Sequence, residues 1–233
     1  MEVLGIIPAR GGSKGIPRKN IIDLCGKPLM EYTFDAYHNS KLLSRIVVST
    51  EDKEIGEFAI SKGVEVIWRP EELAGDLSDT KDVLVQVLEY LKEKEGYVPD
   101  YTMILQTTSP LRTGEDIDNC ISMITENDAD AVVSVEKVPH NCYPEKVMIL
   151  EDGYLGFLPE GSENNTTRQL LKRELYARNG AAVYLFKTDM FLKTRSYYGD
   201  KCLPYIMSSN NSLDIDTYED LELVEALMNY RKK

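Results

Sequence analysis

The sequence predicts an α/β protein built on a mostly parallel sheet flanked by helices, and three observations carry that prediction. Short apolar runs alternate with longer amphipathic stretches through the first 135 residues, the rhythm of buried strands and the helices that cover them. Capping side chains stand where those helices should begin. A glycine-containing loop follows directly on the first apolar run, and open α/β sheets bind ligands outside the carboxyl ends of their strands.

The first strand is expected from Val3 to Ile7, with Pro8 ending its pairing because proline has no N–H to donate. Further strands are expected at 45–49, 64–67, 101–105 and 130–135, and helices at roughly 28–39, 52–62, 79–95 and 114–126. Thr50 or Glu51 precedes the second helix and Ser78 opens the third, while Thr113 stands three residues before Asp116 as in a capping box. From Pro139 to about Tyr176 the alternation breaks. There KVMIL and YLGFL flank Glu151-Asp152-Gly153 like the limbs of a hairpin, and the polar run SENNTTRQ follows. Residues 139–176 are therefore expected to form an arm inserted in a single domain of residues 1–233, with dimerisation one use for it. Gly180 to Phe186 returns as a strand, and Tyr218 to Tyr230 closes the chain as an amphipathic helix.

Composition narrows the function classes. With 27 Lys and Arg against 39 Asp and Glu, the net charge is −12, which argues against an extended nucleic-acid surface. No apolar run is long enough to span a membrane and no signal-peptide core is visible, so the chain is expected to be cytoplasmic. Cys25, Cys120, Cys142 and Cys202 form no Cys-x-x-Cys pair, which speaks against a zinc or redox motif and for reduced structural thiols. His38 and His140 are the only histidines, too few for histidine-based chemistry.

The loop after the first strand reads GIIPARGGSKGIPRKN. Gly11, Gly12 and Gly15 allow close backbone approach, and Arg10, Lys14, Arg18 and Lys19 supply charge for an anion with several phosphates. A solvated basic loop is the plain alternative. The spacing fits neither the Walker pattern, since Ile16 and Pro17 follow Gly15, nor Gly-x-Gly-x-x-Gly.

Other constellations lie near strand ends. In SLDIDTYEDL, an extended backbone puts Asp214 and Asp216 on one side, able to share a divalent cation; Asp216 or Thr217 equally suits an N-cap for the last helix, with Asp220 in its first turn. In YTMILQTTSPLRTG, Gln106 and the hydroxyls beyond it are placed to hydrogen-bond a base or sugar, or simply to form a turn. RPEELAGDLSDT brings Arg69 after a strand and Ser78 or Thr80 to a helix start. Arg168, Arg173 and Arg178 suit either a solvated face or the presentation of cations to an acidic substrate. Tyr197 and Tyr198 suit packing, or the lining of a sugar pocket.

Taken together and in this order, IIPARGGSKGIPRKN, RPEELAGD, QTTSPLR, RNGAAVY and SLDIDT resemble the cytidylyltransferases that make CMP-sialic acid and its relatives, across nearly the whole chain. The resemblance implies a Rossmann-like nucleotidyltransferase fold, a homodimer in which an arm of one subunit completes the other's site, and Mg2+-dependent transfer of CMP from CTP to an acidic nine-carbon sugar. It further implies that Arg10, Lys14, Asn20, Arg69, Ser78, Thr80 and Gln106 fall at nucleotide or substrate positions, Thr80 standing where some members have serine. Lys19, with Arg10 and Lys14, would stabilise the departing pyrophosphate, and Asp214 and Asp216 would hold Mg2+. Arg168, in an Arg-Gln pair, and Arg178, before Asn-Gly, would serve the acidic sugar or the transition state.

Within this class the acceptors to weigh are N-acetylneuraminate, legionaminate and pseudaminate, with the eight-carbon acid KDO and aldose 1-phosphates as further alternatives. A nucleotide-binding regulatory protein without turnover is the reading from a different class; the joint presence of Asp214, Asp216 and Lys19 argues against it.

Overall fold

A computed structural model describes residues 1–75, 78–158 and 173–232. The chain runs β1 (Val3–Pro8), β2 (Asp23–Leu24), β3 (Lys27–Pro28), α1 (Glu31–Asn39), β4 (Arg45–Thr50), α2 (Lys53–Ser61), β5 (Glu65–Trp68), α3 (Thr80–Glu95) and β6 (Tyr101–Ile104). It continues through α4 (Gly114–Glu126), β7 (Ala131–Lys137), β8 (Met148–Glu151), β9 (Tyr154–Phe157), β10 (Tyr176–Arg178), β11 (Tyr184–Lys187), α5 (Thr188–Thr194), β12 (Cys202–Ile206) and α6 (Tyr218–Arg231).

Among the described residues, eight strands form the main sheet in the order β10-β7-β11-β6-β1-β4-β5, with β12 also paired to β7. The pairs among β6, β1, β4 and β5 are parallel, as is β12 with β7, whereas β11 runs antiparallel to β6 and β7. The parallel part is buried on both faces because helices cover both. Along β1 the side chains alternate: Val3 and Ile7 join Phe34, Ile55, Ile117 and Ile121 on one face, while Leu4 and Ile6 join Leu84, Val87, Leu91 and Phe191 on the other. A third cluster joins Ile16 of the first loop to Leu111, Ile215, Leu221 and Val224.

Local signals explain most boundaries, with some corrections. Pro8 does not end the pairing: it is opposite Ser49, and the Ala9 N–H still donates to Ser49 O. Asp52, rather than Thr50 or Glu51, caps α2 by accepting from the Ile55 N–H. Asp79, rather than Ser78, caps α3 through the Lys81 N–H. In both cases a carboxylate next to the expected residue offers the nearer acceptor. Thr113 and Asp116 do form a capping box, and Thr217 forms another with Asp220. Thr217→Ala is expected to cost about 1 kcal/mol, read as a fall in Tm of about 2–4 °C.

The strand expected from Gly180 starts only at Tyr184, because Gly180 and Ala181 take positive φ of 64° and 57° and turn the chain first. β2, β3, β10, α5 and β12 were not expected: β2, β3 and β10 have only two or three residues and α5 two turns, while β12 carries Pro204, which argues against a strand. The amphipathic reading of α6 is only partly met: Leu221 and Val224 are buried, but Leu223 and Tyr230 are exposed. Cys120 is buried as a structural thiol should be, whereas Cys142 and Cys202 are exposed; all four are free. The hairpin of residues 139–176 is present as β8 and β9, turning through Asp152 and Gly153 at φ of 51° and 83°.

Candidate active site

The strands β1, β4, β5 and β6 run parallel and so end on one edge of the sheet. Because β11 is antiparallel to β6, the turn before it reaches the same edge, and the Gln106 N–H donates to Ala181 O there. The site is assembled on this edge from the loop after β1, the segments after β5 and β6, the Gly180 turn and residues 214–216.

The loop after β1 is held at several points. Gly11 N–H donates to Glu51 Oε1 at 2.7 Å, and a Cβ at residue 11 would collide with the Asp52 carboxylate. Ile16 is fully buried beside Ile215, which brings Gly15 so close to residue 216 that a Cβ would strike the Asp216 carbonyl oxygen. Arg18, at φ 56°, is tied to Asp52 and Glu54, which hold its guanidinium above its ordinary pKa, the Asp52 hydrogen bond foremost. Two expectations change: Arg18 is engaged within the protein, and the Gly11 N–H is bound to a carboxylate. Asn20 is buried and uses both ends of its amide, donating to Arg10 O at 2.8 Å and accepting from the Thr107 hydroxyl at 2.6 Å. In this arrangement it fixes the loop against the end of β6.

A cavity of about 270 Å³ opens beside the loop. Arg10, Arg69, Ser78, Thr80 and Gln106, singled out from separate stretches of sequence, all line it, with Pro8, Leu73, Gly75 and Val83. Arg10 also donates to Gly75 O at 3.3 Å, and the Ser78 hydroxyl donates to Glu72 O at 3.1 Å. Thr80 is the first residue of α3, so the positive end of a 16-residue helix faces the cavity. Arg69 is buried and bonded to Ser49 O. Burial lowers its pKa, Glu51 opposes that, and the charge of Arg10 adds to it. A helix N-terminus and two guanidiniums make this a place for an anion.

Beside it lies the carboxylate pair. Lys19 Nζ donates to Asp216 Oδ1 at 2.7 Å and to Ile215 O at 2.8 Å. The lysine side chain is 13% exposed and that of Asp216 72%. The carboxyl group of Asp214 is pushed up to about 6, chiefly by burial, with repulsion from Asp216 and Asp220 adding and Thr108 and Lys19 opposing. Its Oδ1 is buried without a hydrogen-bond partner among the described residues, and a Cβ at residue 180 would collide with this carboxylate. Of the two readings of this stretch, the helix cap is met by Thr217 with Asp220.

Arg178 donates to the Tyr198 hydroxyl at 2.8 Å, and Tyr184 and Asp214 lie close to this group. Tyr197 does something else: its ring stacks on Phe191 at 5.7 Å and packs on Phe186, which favours the packing reading. Arg168 lies outside the described residues, and Lys14 is exposed at the middle of the loop.

Three residues were missed. Arg112 is fully buried and donates to Gln106 O, Ala182 O and Thr33 Oγ1 at 3.0, 2.7 and 2.6 Å, joining the cavity wall to the turn before β11. Asn179 accepts from the Ser134 hydroxyl and donates to Ser212 Oγ, at 2.7 and 3.2 Å. Both stand inside quoted motifs, so a signal was present. Glu51 follows the strand expected at 45–49 but was read only as a helix cap, being one acid of the run EDKE.

The sequence model described as "Cytidylyltransferase" matches residues 4–232. The chain belongs to the cytidylyltransferase family. Among relatives of this cytidylyltransferase-family chain, the N-acylneuraminate cytidylyltransferase of Streptococcus agalactiae serotype V is 32% identical over 222 residues, 94% of this chain and 52% of that protein. The CMP-N,N'-diacetyllegionaminic acid synthase of Legionella pneumophila is 32% identical over 98% of this chain and 97% of that one. The pseudaminic acid cytidylyltransferase of Campylobacter jejuni serotype O:2 is 28% identical over 97% and 96%. The chain spans about half the length of the streptococcal relative and nearly all of the other two. A solved CMP:2-keto-3-deoxy-manno-octonic acid synthetase complexed with CTP superposes with a TM-score of 0.72, at 18% identity, over 99% of this chain and 100% of that one. That likeness shows the fold, the Rossmann-like arrangement of nucleotidyltransferases.

Proposed function

We propose that this chain transfers CMP from CTP to the anomeric C2 hydroxyl of a sialic-acid-type nonulosonate, N-acetylneuraminate or a close relative, with release of pyrophosphate. The observation that carries the reading is the junction of the arginine-lined cavity with the Lys19, Asp214 and Asp216 cluster on one sheet edge. The names of the three relatives support the reaction, and they differ only in the acid. The match along nearly the whole Legionella protein favours legionaminate as a second reading of the acceptor.

In this proposal Arg10, Arg69, Ser78, Thr80 and Gln106 hold the nucleotide, and Lys14 and Lys19 neutralise the pyrophosphate. Two hard carboxylates, one with a buried oxygen that has no hydrogen-bond partner among the described residues, fit Mg2+, which takes a few carboxylates and completes its octahedron with phosphate and water. When bound by Asp214 and Asp216, Mg2+ would lower the pKa of the attacking hydroxyl and offset phosphate charge. Arg178, its guanidinium set by Tyr198, and Arg168 would meet the acid's carboxylate.

The reading is tested by pyrophosphate release from CTP and Mg2+ with N-acetylneuraminate, legionaminate, pseudaminate and KDO offered separately. The expected result is a marked kcat/KM preference for one nine-carbon acid. Release with KDO alone would move the chain to the eight-carbon branch, and CTP binding without release from any acid would favour the regulatory alternative.

The same proposal makes the enzyme a homodimer through its arm. Met148, Ile149, Leu150, Tyr154, Leu155 and Phe157 are exposed along the β8–β9 ribbon, and an isolated two-stranded ribbon with this much exposed apolar surface needs a partner. Leu155→Asp is expected to shift the sedimentation coefficient from dimer to monomer. A wild type that sediments as a monomer at micromolar concentration would remove this use of the arm. No described helix is long and apolar enough to cross a membrane.

A further inference from the structure

Because Asp52 caps α2, Glu51 is released from the helix start and turns inward. Its side chain is 16% exposed. Oε1 takes the Gly11 N–H, while Oε2 lies 3.6 Å from Nε of Arg69, and neither Oε2 nor that Nε has a hydrogen-bond partner among the described residues. The other nitrogens of Arg69 reach the carbonyls of Ser49 and Leu73. Arg69 and Arg10 both line the cavity, Glu51 does not, and the two arginines repel each other.

Two like charges facing one cavity need a counter-charge to keep them there, since a buried guanidinium without a carboxylate is strongly disfavoured. Glu51 is that counter-charge to Arg69, and it also grips the loop that carries Arg10. We propose that Glu51 is a positioning residue for nucleotide binding, fixing the loop through Gly11 and aiming Arg69 into the cavity. This rests on the reading that the cavity takes CTP. Glu51 contacts no ligand in this role. Its carboxylate sets the distance between two cations that do.

The test is calorimetric titration of the full chain with CTP in the absence of any sugar acid, together with steady-state KM values and Tm. It compares wild type, Glu51→Gln, Glu51→Ala, Arg69→Met and the double variant Glu51→Gln/Arg69→Met. Glu51→Gln keeps an acceptor for Gly11 and removes the charge. It is expected to weaken CTP binding about tenfold, and Glu51→Ala more, while kcat at saturating CTP and the KM for the acid stay within about twofold. In the Arg69→Met background, Glu51→Gln should change the CTP Kd by less than about twofold, because its partner is already gone.

Unchanged or tighter CTP binding by Glu51→Gln overturns the inference. So does an undiminished loss in the Arg69→Met background, or a common fall of kcat and both KM-dependent terms that follows Tm. If Glu51→Ala does not fold, Glu51→Asp replaces it, shorter by one methylene and expected to lie between wild type and Glu51→Gln. A wild type that binds no CTP overturns the proposed function and this inference together, whereas normal wild-type binding with unchanged variants overturns this inference alone.

Discussion

Asp214→Asn is expected to reduce kcat by about a thousandfold and at the same time to make the protein more stable. The carboxyl group is raised from 3.8 to about 6, so the folded chain holds this proton more tightly than the unfolded one. Stability from this group is therefore fully present below about pH 4 and is lost as pH rises through 6. Near pH 7.5 the wild type carries a penalty of about 2 kcal/mol once partial exposure is allowed for, which asparagine removes. In EDTA at pH 7.5 the variant should melt about 4–8 °C higher than wild type, and the gap should close as the pH is lowered from 6 to 4. A lower Tm at pH 7.5 would mean that Asp214 is a structural acceptor rather than a strained ligand. The concentration of Mg2+ giving half the maximal rate should also rise as pH falls through about 6, because a protonated carboxyl does not ligate. Asp216→Asn is expected to lose turnover to a similar degree with no gain in stability, since the amide oxygen can still accept from Lys19 but no longer carries the charge that pairs with it. Near-normal activity in that variant would remove the metal role from Asp216.

Gly15→Ala is expected to lower kcat/KM at least about a hundredfold, although residue 15 is exposed and its addition is one methyl group. The new Cβ would collide with the Asp216 carbonyl oxygen. Backbone on both sides prevents a cheap adjustment: Ile16 is anchored in the cluster with Ile215, and Asp216 N–H donates to Asp220 at the capped start of α6. Either the loop bearing Lys14 and Lys19 moves away or the carboxylate pair does. Gly12→Ala is the comparison, since a Cβ there meets no atom of the described chain within 4 Å, and it should lose less than Gly15→Ala. Equal losses in the two variants would point to loop flexibility instead of the contact with Asp216.

The parallel sheet was legible because its information is local and repeated. Val3, Val48 and Met103 on one face and Leu4, Val47 and Ile104 on the other report two-sided burial through composition alone, and Thr113 and Thr217 report helix starts through hydrogen bonds three residues away. The same local character misled at Glu51 and Ser78, where a neighbouring aspartate was the better cap. It was silent on α5 and β12, whose places depend on Phe191 packing across the sheet and on pairing with β7.

For the site, residue pattern placed Arg10, Lys19, Arg69 and Gln106 beyond strand ends, and strand direction carries these four to one edge once the sheet is parallel. Asp214 and Asp216 follow no strand that periodicity shows; they join that edge because the Ile215 N–H donates to Thr108 O. How each side chain is used depends on the packed fold. Arg18 is neutralised by Asp52 and Glu54, Asn20 holds the Arg10 carbonyl, and Tyr197 packs on Phe191, each because a partner distant in sequence is adjacent in space. The elevated carboxyl of Asp214 has the same origin. Desolvation is a property of everything that surrounds a group, and no pattern of neighbours along the chain records it.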